Sequence, residues 1–193
     1  FATNSKYIAL SNESSANEPT VPDSEINHQY SKSIEFENDF RNYLKDYISS
    51  DIQYFSFLRP INEVQIASLF AKNKEYYKVF KSCNVGSKTD SWCGKCPKCL
   101  FTWIIMSPFI PENELIEIFG KNLLKNNDLV PIIRQLKGEV EVKPFECVGT
   151  VEEVNACLNY GQRKSGLENL LNQYDDANNL PKHFEQILKD KLQ

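Results

Sequence analysis

Cys83, Cys93, Cys96 and Cys99 are the residues whose type and spacing most directly dictate a chemistry. Nine residues separate the first two, and two residues separate each later pair. A Cys-x-x-Cys turn delivers two thiolates from one tight loop, because its backbone amides point at the sulfurs. Zinc takes four such soft ligands in a tetrahedron at about 2.3 Å. Gly94 and Pro97 are turn formers that suit the loop. Cys83 closes the cage, and Lys88, Lys95 and Lys98 can offset its charge. Four thiolates leave no open coordination position, so the expected metal is structural zinc. An iron–sulfur centre and a set of reduced or redox-active thiols are the other readings of this spacing. Cys147 and Cys157 lie outside the cluster and read as small buried hydrophobes. The clustering, with no secretory signal at the start, argues against a disulfide scaffold.

Four polar groups could do further chemistry. Asn12-Glu13-Ser14-Ser15 follows an apolar run; a carboxylate beside two hydroxyls could hold Mg²⁺ or a ribose, although polar loops are common. Asn27-His28-Gln29-Tyr30-Ser31-Lys32 precedes a helix, where a phosphate or carboxylate could sit with Lys32 adding charge. The alternative there is a capped helix start with solvated side chains. His28 is one of two histidines and suits acid–base work. Arg59 could clamp a carboxylate or phosphate in bidentate fashion, or form a surface ion pair with Glu63. Glu146-Cys147-Val148-Gly149 could handle protons, and a packed loop is the ordinary reading.

These groups need elements to position them. Tyr7-Ile8-Ala9-Leu10 reads as a buried strand running into the Asn12 loop. In open α/β sheets ligands bind at the carboxyl ends of strands. Pro19, Pro22 and Asp23 break the following segment. Ile34, Phe40, Tyr43, Leu44, Tyr47 and Ile48 recur at helical steps, predicting a helix from Ser33 to Ser49. A strand from Ile52 to Leu58 and a helix from Glu63 to Lys72, capped by Asn62, come next. That order is the rhythm of a doubly wound α/β sheet. Leu100 to Pro111 reads as a buried helix. Further helices start near Pro111, Asp128, Thr150 (a capping box with Glu153), Gly166 and Pro181. The division expected is 1–80 as an α/β portion, 81–109 as a zinc-binding segment and 110–193 as a helical region.

Composition bounds the function. The 193 residues are 41% hydrophobic and 25% charged, with a net charge of −4, which are ordinary globular values. No dense Lys/Arg block offers an electrostatic footprint for nucleic acid. No apolar run is long enough to span a bilayer, so a cytoplasmic protein is expected. The seven glycines are scattered, without a phosphate-cradling loop. A nucleotide's phosphate cradle is therefore expected upstream, in a missing N-terminal part of the same polypeptide, since the chain begins with Phe1 rather than Met.

The cysteine spacing resembles the zinc site of the 7-cyano-7-deazaguanine synthases, PP-loop ATP pyrophosphatases that activate a carboxylate as an adenylate. A closer resemblance is to the UDP-N-acetylmuramoyl-L-alanyl-L-glutamate epimerase family. It is carried by Ser11–Ala16, Asn27–Ser33, Phe55–Pro60, Trp92–Cys99 and Pro144–Thr150. The resemblance implies a partial doubly wound sheet of the adenine nucleotide alpha hydrolase-like type, with a four-cysteine zinc site and a helical C-terminal region. It also implies ATP and Mg²⁺ as cofactors, a UDP-muramoyl dipeptide as the small-molecule substrate, and inversion of the terminal L-glutamate through an acyl adenylate in peptidoglycan precursor synthesis. On that basis Asn12, Glu13 and Ser14 would face the nucleotide or Mg²⁺. His28, Cys147 or Glu146 would handle the α-proton, and Lys32 and Arg59 would bind carboxylate or phosphate. The PP-loop motif of such enzymes is absent from this chain, which alone is expected to be inactive. The competing expectations are another PP-loop enzyme forming amides or nitriles, and a non-catalytic zinc-braced interaction module.

Overall fold

The computed structural model describes residues 3–21, 23–162 and 164–192; Pro22 lies outside them. Strands β1 (Tyr7–Leu10) and β2 (Gln53–Ser56) pair in parallel, with Tyr7 opposite Gln53 and Leu10 opposite Ser56. Parallel neighbours need a long crossover, and helix α1 (Ile34–Tyr47) occupies it. Ser33 starts α1, its side chain accepting from the Phe36 amide at 3.1 Å. Successive strand residues face opposite sides of a sheet. Tyr54 meets Phe40 of α1 at 4.8 Å between ring centroids, whereas Phe55 meets Phe184 of the last helix, α8 (Lys182–Leu192), at 5.3 Å. The sheet is thus a thin layer between α1 and α8.

Among the described residues the sheet has two strands, β1 and β2. One expectation is corrected here: β1 is not buried, since Tyr7 and Ile8 are 38% and 39% exposed. An apolar four-residue run specifies a strand without specifying how many neighbours it gains, and β1 is paired along one edge only.

Helix α2 (Glu63–Ala71) begins with the expected cap, a full capping box between Asn62 and Gln65. Helix α3 (Pro97–Met106) starts earlier than the apolar run suggests, with Pro97 in its first turn at the end of the cysteine segment. It ends before Pro108, which cannot continue a helix. Leu100, Trp103 and Ile104 of α3 are at most 2% exposed and centre the larger core. Helices α4 (Glu112–Phe119), α5 (Val130–Leu136) and α6 (Val151–Leu158) pack around α3. Helix α7 (Lys164–Leu171) joins α6 and α2. A smaller core of Phe55, Ile61, Leu180 and Leu188 binds α8 under β2. Among the described residues no helix is long and apolar enough to cross a membrane.

Candidate active site and metal centre

The four predicted cysteines come together. Cys83 and Cys96 sulfurs are 3.7 Å apart, Cys93 and Cys99 3.6 Å, and Cys96 and Cys99 3.5 Å. All four lie within 4.8 Å of one another. A tetrahedron with ~2.3 Å metal–sulfur bonds has edges of about 3.8 Å, so the cage fits a single ion. An iron–sulfur cluster would have to place several irons between the same sulfurs and push them farther apart. The Gly86 amide donates to Cys83 Sγ at 3.2 Å. Gly86 cannot carry a side chain, because a Cβ there would collide with the Ser91 carbonyl. Hydrogen bonding with Cys99 pulls the Cys96 thiol down to about 5, while the same contact and burial push Cys99 up. Trp92 packs beside the cage against Phe80 and Phe119, at 5.3 and 4.7 Å.

Around the carboxyl ends of β1 and β2 the polar segments meet. Asn12 donates to Ser56 Oγ at 3.2 Å, and the Ser14 amide and hydroxyl both donate to the Ile61 carbonyl, at 3.0 and 3.1 Å. Arg59 is fully buried. It donates to the Glu13 carbonyl at 2.7 Å and to the Lys32 carbonyl, and its guanidinium lies 3.6 Å from the Glu37 carboxylate. Its ion-pair partner is therefore Glu37 rather than Glu63, and its fork is spent on the protein's own carbonyls. Arg59 fixes the Glu13 and Lys32 segments relative to each other instead of reaching solvent.

The 144–150 loop closes over the 27–33 segment. Gln29 donates to the Val148 carbonyl at 3.3 Å, and His28 Nε2 is 2.9 Å from the Glu146 carbonyl. A carbonyl only accepts, so Nε2 carries the proton; Nδ1 then accepts from the Thr20 hydroxyl at 2.6 Å. Both His28 ring nitrogens are engaged, on the exposed side of the loop. Of Glu146, only the carbonyl takes part in these contacts. Lys32 Nζ donates to Cys147 Sγ at 2.9 Å. Cys147 is partly exposed, contrary to its reading as a buried hydrophobe, whereas Cys157 is buried and burial pushes its thiol up to about 12.

Cys147 lines a cavity of about 230 Å³ together with the polar residues Glu63, Lys98 and Ser82 and with apolar residues that include Phe70 and Phe101. Lys98 brings the cysteine segment to this site. Glu63, first residue of α2, was legible only as a possible partner of Arg59, since acidic residues in a first helical turn are commonplace. Its carboxyl lies well above the ordinary value because of burial, with the Glu13 and Glu153 carboxylates adding to the shift and Lys32 and Lys98 opposing it. Burial raises Glu13 too. Glu153 sits behind both. Its carboxylate accepts from Ser15 Oγ at 2.7 Å, the Glu63 amide at 2.7 Å and the Thr150 amide at 2.6 Å. It thereby ties the starts of α2 and α6 to the loop after β1.

Residues 79–183 match the family described as MurL C-terminal domain, and residues 1–57 match that described as MurL N-terminal domain. A Micromonospora protein named UDP-N-acetyl-alpha-D-muramoyl-L-alanyl-L-glutamate epimerase is 42% identical over 76% of this chain and 34% of its own length. Proteins of the same name from Salinispora tropica and Xanthomonas oryzae pv. oryzae are each 39% identical, over 82% and 78% of this chain and 36% and 35% of their own lengths. The chain spans about a third of the length of these curated relatives. No solved structure matches it.

Proposed function

The chain belongs to the MurL family of UDP-N-acetyl-alpha-D-muramoyl-L-alanyl-L-glutamate epimerases, and we propose that it is the C-terminal part of a cytoplasmic enzyme that inverts the terminal glutamate of UDP-MurNAc-L-Ala-L-Glu during peptidoglycan precursor synthesis. The observation that carries the reading is the meeting of Cys147, Glu63 and Lys98 at one small, largely apolar cavity, with Lys32 donating to the Cys147 sulfur. A cavity of about 230 Å³ is below the size that takes a whole drug-sized ligand, which suits the terminal residue of a longer substrate.

The chemistry asks for an activated carboxylate. Removing the α-proton beside a free carboxylate would place a second negative charge on an anion. Transfer of AMP from ATP to that carboxylate neutralises it, and the carbonyl oxygen can then take the charge as an enolate held by positioned donors. Cys147 handles the α-proton in this reading. A positively charged donor at its sulfur, Lys32, is the setting a thiolate base needs. Glu13, whose carboxylate is set at the end of β1, faces Mg²⁺ or the nucleotide, with Asn12 and Ser14 shaping its loop. Lys32 and Lys98 supply charge for the substrate's carboxylates. Arg59, His28 and Glu146 position the loops that carry these groups.

The four cysteines hold structural zinc, which supplies no chemistry to the reaction and braces the start of α3. The β1–β2 pair belongs to a larger doubly wound PP-loop sheet, whose phosphate cradle lies in the remainder of the polypeptide. The test uses a full-length polypeptide containing this chain, with the muramoyl dipeptide, ATP and Mg²⁺ and without ammonia, following AMP and the configuration of glutamate together. AMP accompanied by D-glutamate supports the reading. AMP formed only when ammonia is added points to a ligase, and neither product points to a zinc-braced module.

A further inference from the structure

Glu63 is the acidic group lining the cavity, and its carboxylate has no role in the account so far. Its amide is used by Glu153. Among the described residues its carboxylate has no hydrogen-bond or ion-pair partner, and only burial and more distant charges act on it. It lines the same cavity as Cys147. The two reach it from different elements, Glu63 from the first turn of α2 and Cys147 from the loop before α6. An unpartnered acid held by a helix start, opening on a cavity shared with a thiol, is more than packing requires.

We propose that Glu63 and Cys147 form a two-group proton-transfer pair, one acting on each face of the glutamate α-carbon. The inference rests on the epimerase reading. In one direction the Cys147 thiolate takes the α-proton of the activated acyl group. The electron pair of the broken C–H bond moves into the bond between the α-carbon and the carbonyl carbon, and the carbonyl oxygen becomes the enolate oxygen. The Glu63 carboxylic acid then gives its proton to the opposite face, the pair returns to form the new C–H bond, and Glu63 is left as the carboxylate. Cys147 ends as the thiol, and proton exchange with water resets both. In the other direction the Glu63 carboxylate removes the proton and the Cys147 thiol returns one. Glu63 stays protonated at pH values where an ordinary carboxyl has ionised. The charges around it are those of Glu13, Glu153, Lys32 and Lys98.

The test is run in D₂O with the full-length protein, ATP, Mg²⁺ and the muramoyl dipeptide. In the wild type, early product of inverted configuration carries deuterium at the α-carbon while the remaining substrate does not. Glu63→Gln still forms AMP, loses inversion by 10²–10⁴-fold, on the order expected for one general acid–base group, and keeps α-exchange for one epimer only. Cys147→Ala keeps exchange for the other epimer. Glu63→Asp, which retains a retracted carboxyl, recovers part of the inversion that Glu63→Gln lacks, and a single cooperative thermal melt for each variant guards against a folding defect. The pair is overturned if Glu63→Gln inverts at the wild-type rate, if it loses exchange of both epimers while AMP still forms, or if AMP formation falls in step with inversion. Absence of AMP in the wild type would instead remove the epimerase reading itself.

Discussion

Arg59 and Glu63 sit four residues apart and do opposite jobs. Arg59 is sealed in the protein, bound to two backbone carbonyls and facing Glu37. Removing one partner of a buried ion pair leaves an uncompensated charge, so Arg59→Ala should cost about 3–5 kcal/mol, read from denaturant unfolding. Retention of full stability would show that the guanidinium is not the clamp between the Glu13 and Lys32 segments. Glu63 behaves in the reverse sense. Its folded-state carboxyl lies well above the ordinary 4.5, so the folded chain binds more protons than the unfolded chain as pH rises past that value. Stability therefore falls as pH rises from about 4.5 through the raised folded value, and the loss persists above it. Glu63→Gln should be more stable than the wild type at pH 8 and equal to it below pH 4.5, checked by melting temperature across pH. A difference that does not change with pH would contradict the raised carboxyl. The cysteine cage was legible because four like residues with turn-forming spacing fold locally. The roles of Glu63 and Arg59 were not legible, because they depend on Glu37, Glu153 and Cys147, which the fold brings in from distant segments.

At the scale of elements, one carboxylate organises the site. Glu153 closes the capping box of α6 and also receives the first amide of α2. The Thr150 and Asn62 caps were readable from sequence, since a cap is a short-range device. That the α6 cap also serves α2 was not, since nothing local encodes a partner 90 residues away. Glu153→Ala orphans Ser15 Oγ and the Glu63 and Thr150 amides; at 1–3 kcal/mol for an unsatisfied group, a loss of about 3 kcal/mol is expected in chemical denaturation. Gly149 is required at the same junction, because a Cβ there would lie 2.7 Å from Phe101 Cζ and against Glu153 Oε2. The cage should show its structural character through metal removal. One zinc per chain is expected by elemental analysis, and chelation or Cys96→Ser should lower the melting temperature by many degrees, as metal binding to a folded site is itself folding free energy. An unchanged melt after complete chelation would mean that the cysteines do not brace α3. The strand β1 shows the limit of pattern reading: its apolar run specified a strand correctly, but its exposure is set by neighbours that a four-residue pattern does not encode.

At the scale of the whole molecule, five separated sequence segments meet around the carboxyl ends of two parallel strands and one cavity. Their convergence is what a site requires, and the chain that carries them belongs to the MurL family. This chain carries a third of the length of its curated relatives and no glycine-rich phosphate loop. Alone, given ATP, Mg²⁺ and the muramoyl dipeptide, it should release no AMP, as followed by chromatography; AMP release above a protein-free control would place the nucleotide site within this chain. The most direct test of the central claim follows an oxygen atom. The substrate is prepared with ¹⁸O in the α-carboxylate of its terminal glutamate and given to the full-length enzyme with ATP and Mg²⁺. If an acyl adenylate forms and water cleaves it at the acyl carbon, each AMP carries one ¹⁸O and appears with glutamate of inverted configuration. Inversion with unlabelled AMP, or with no AMP, would contradict the account.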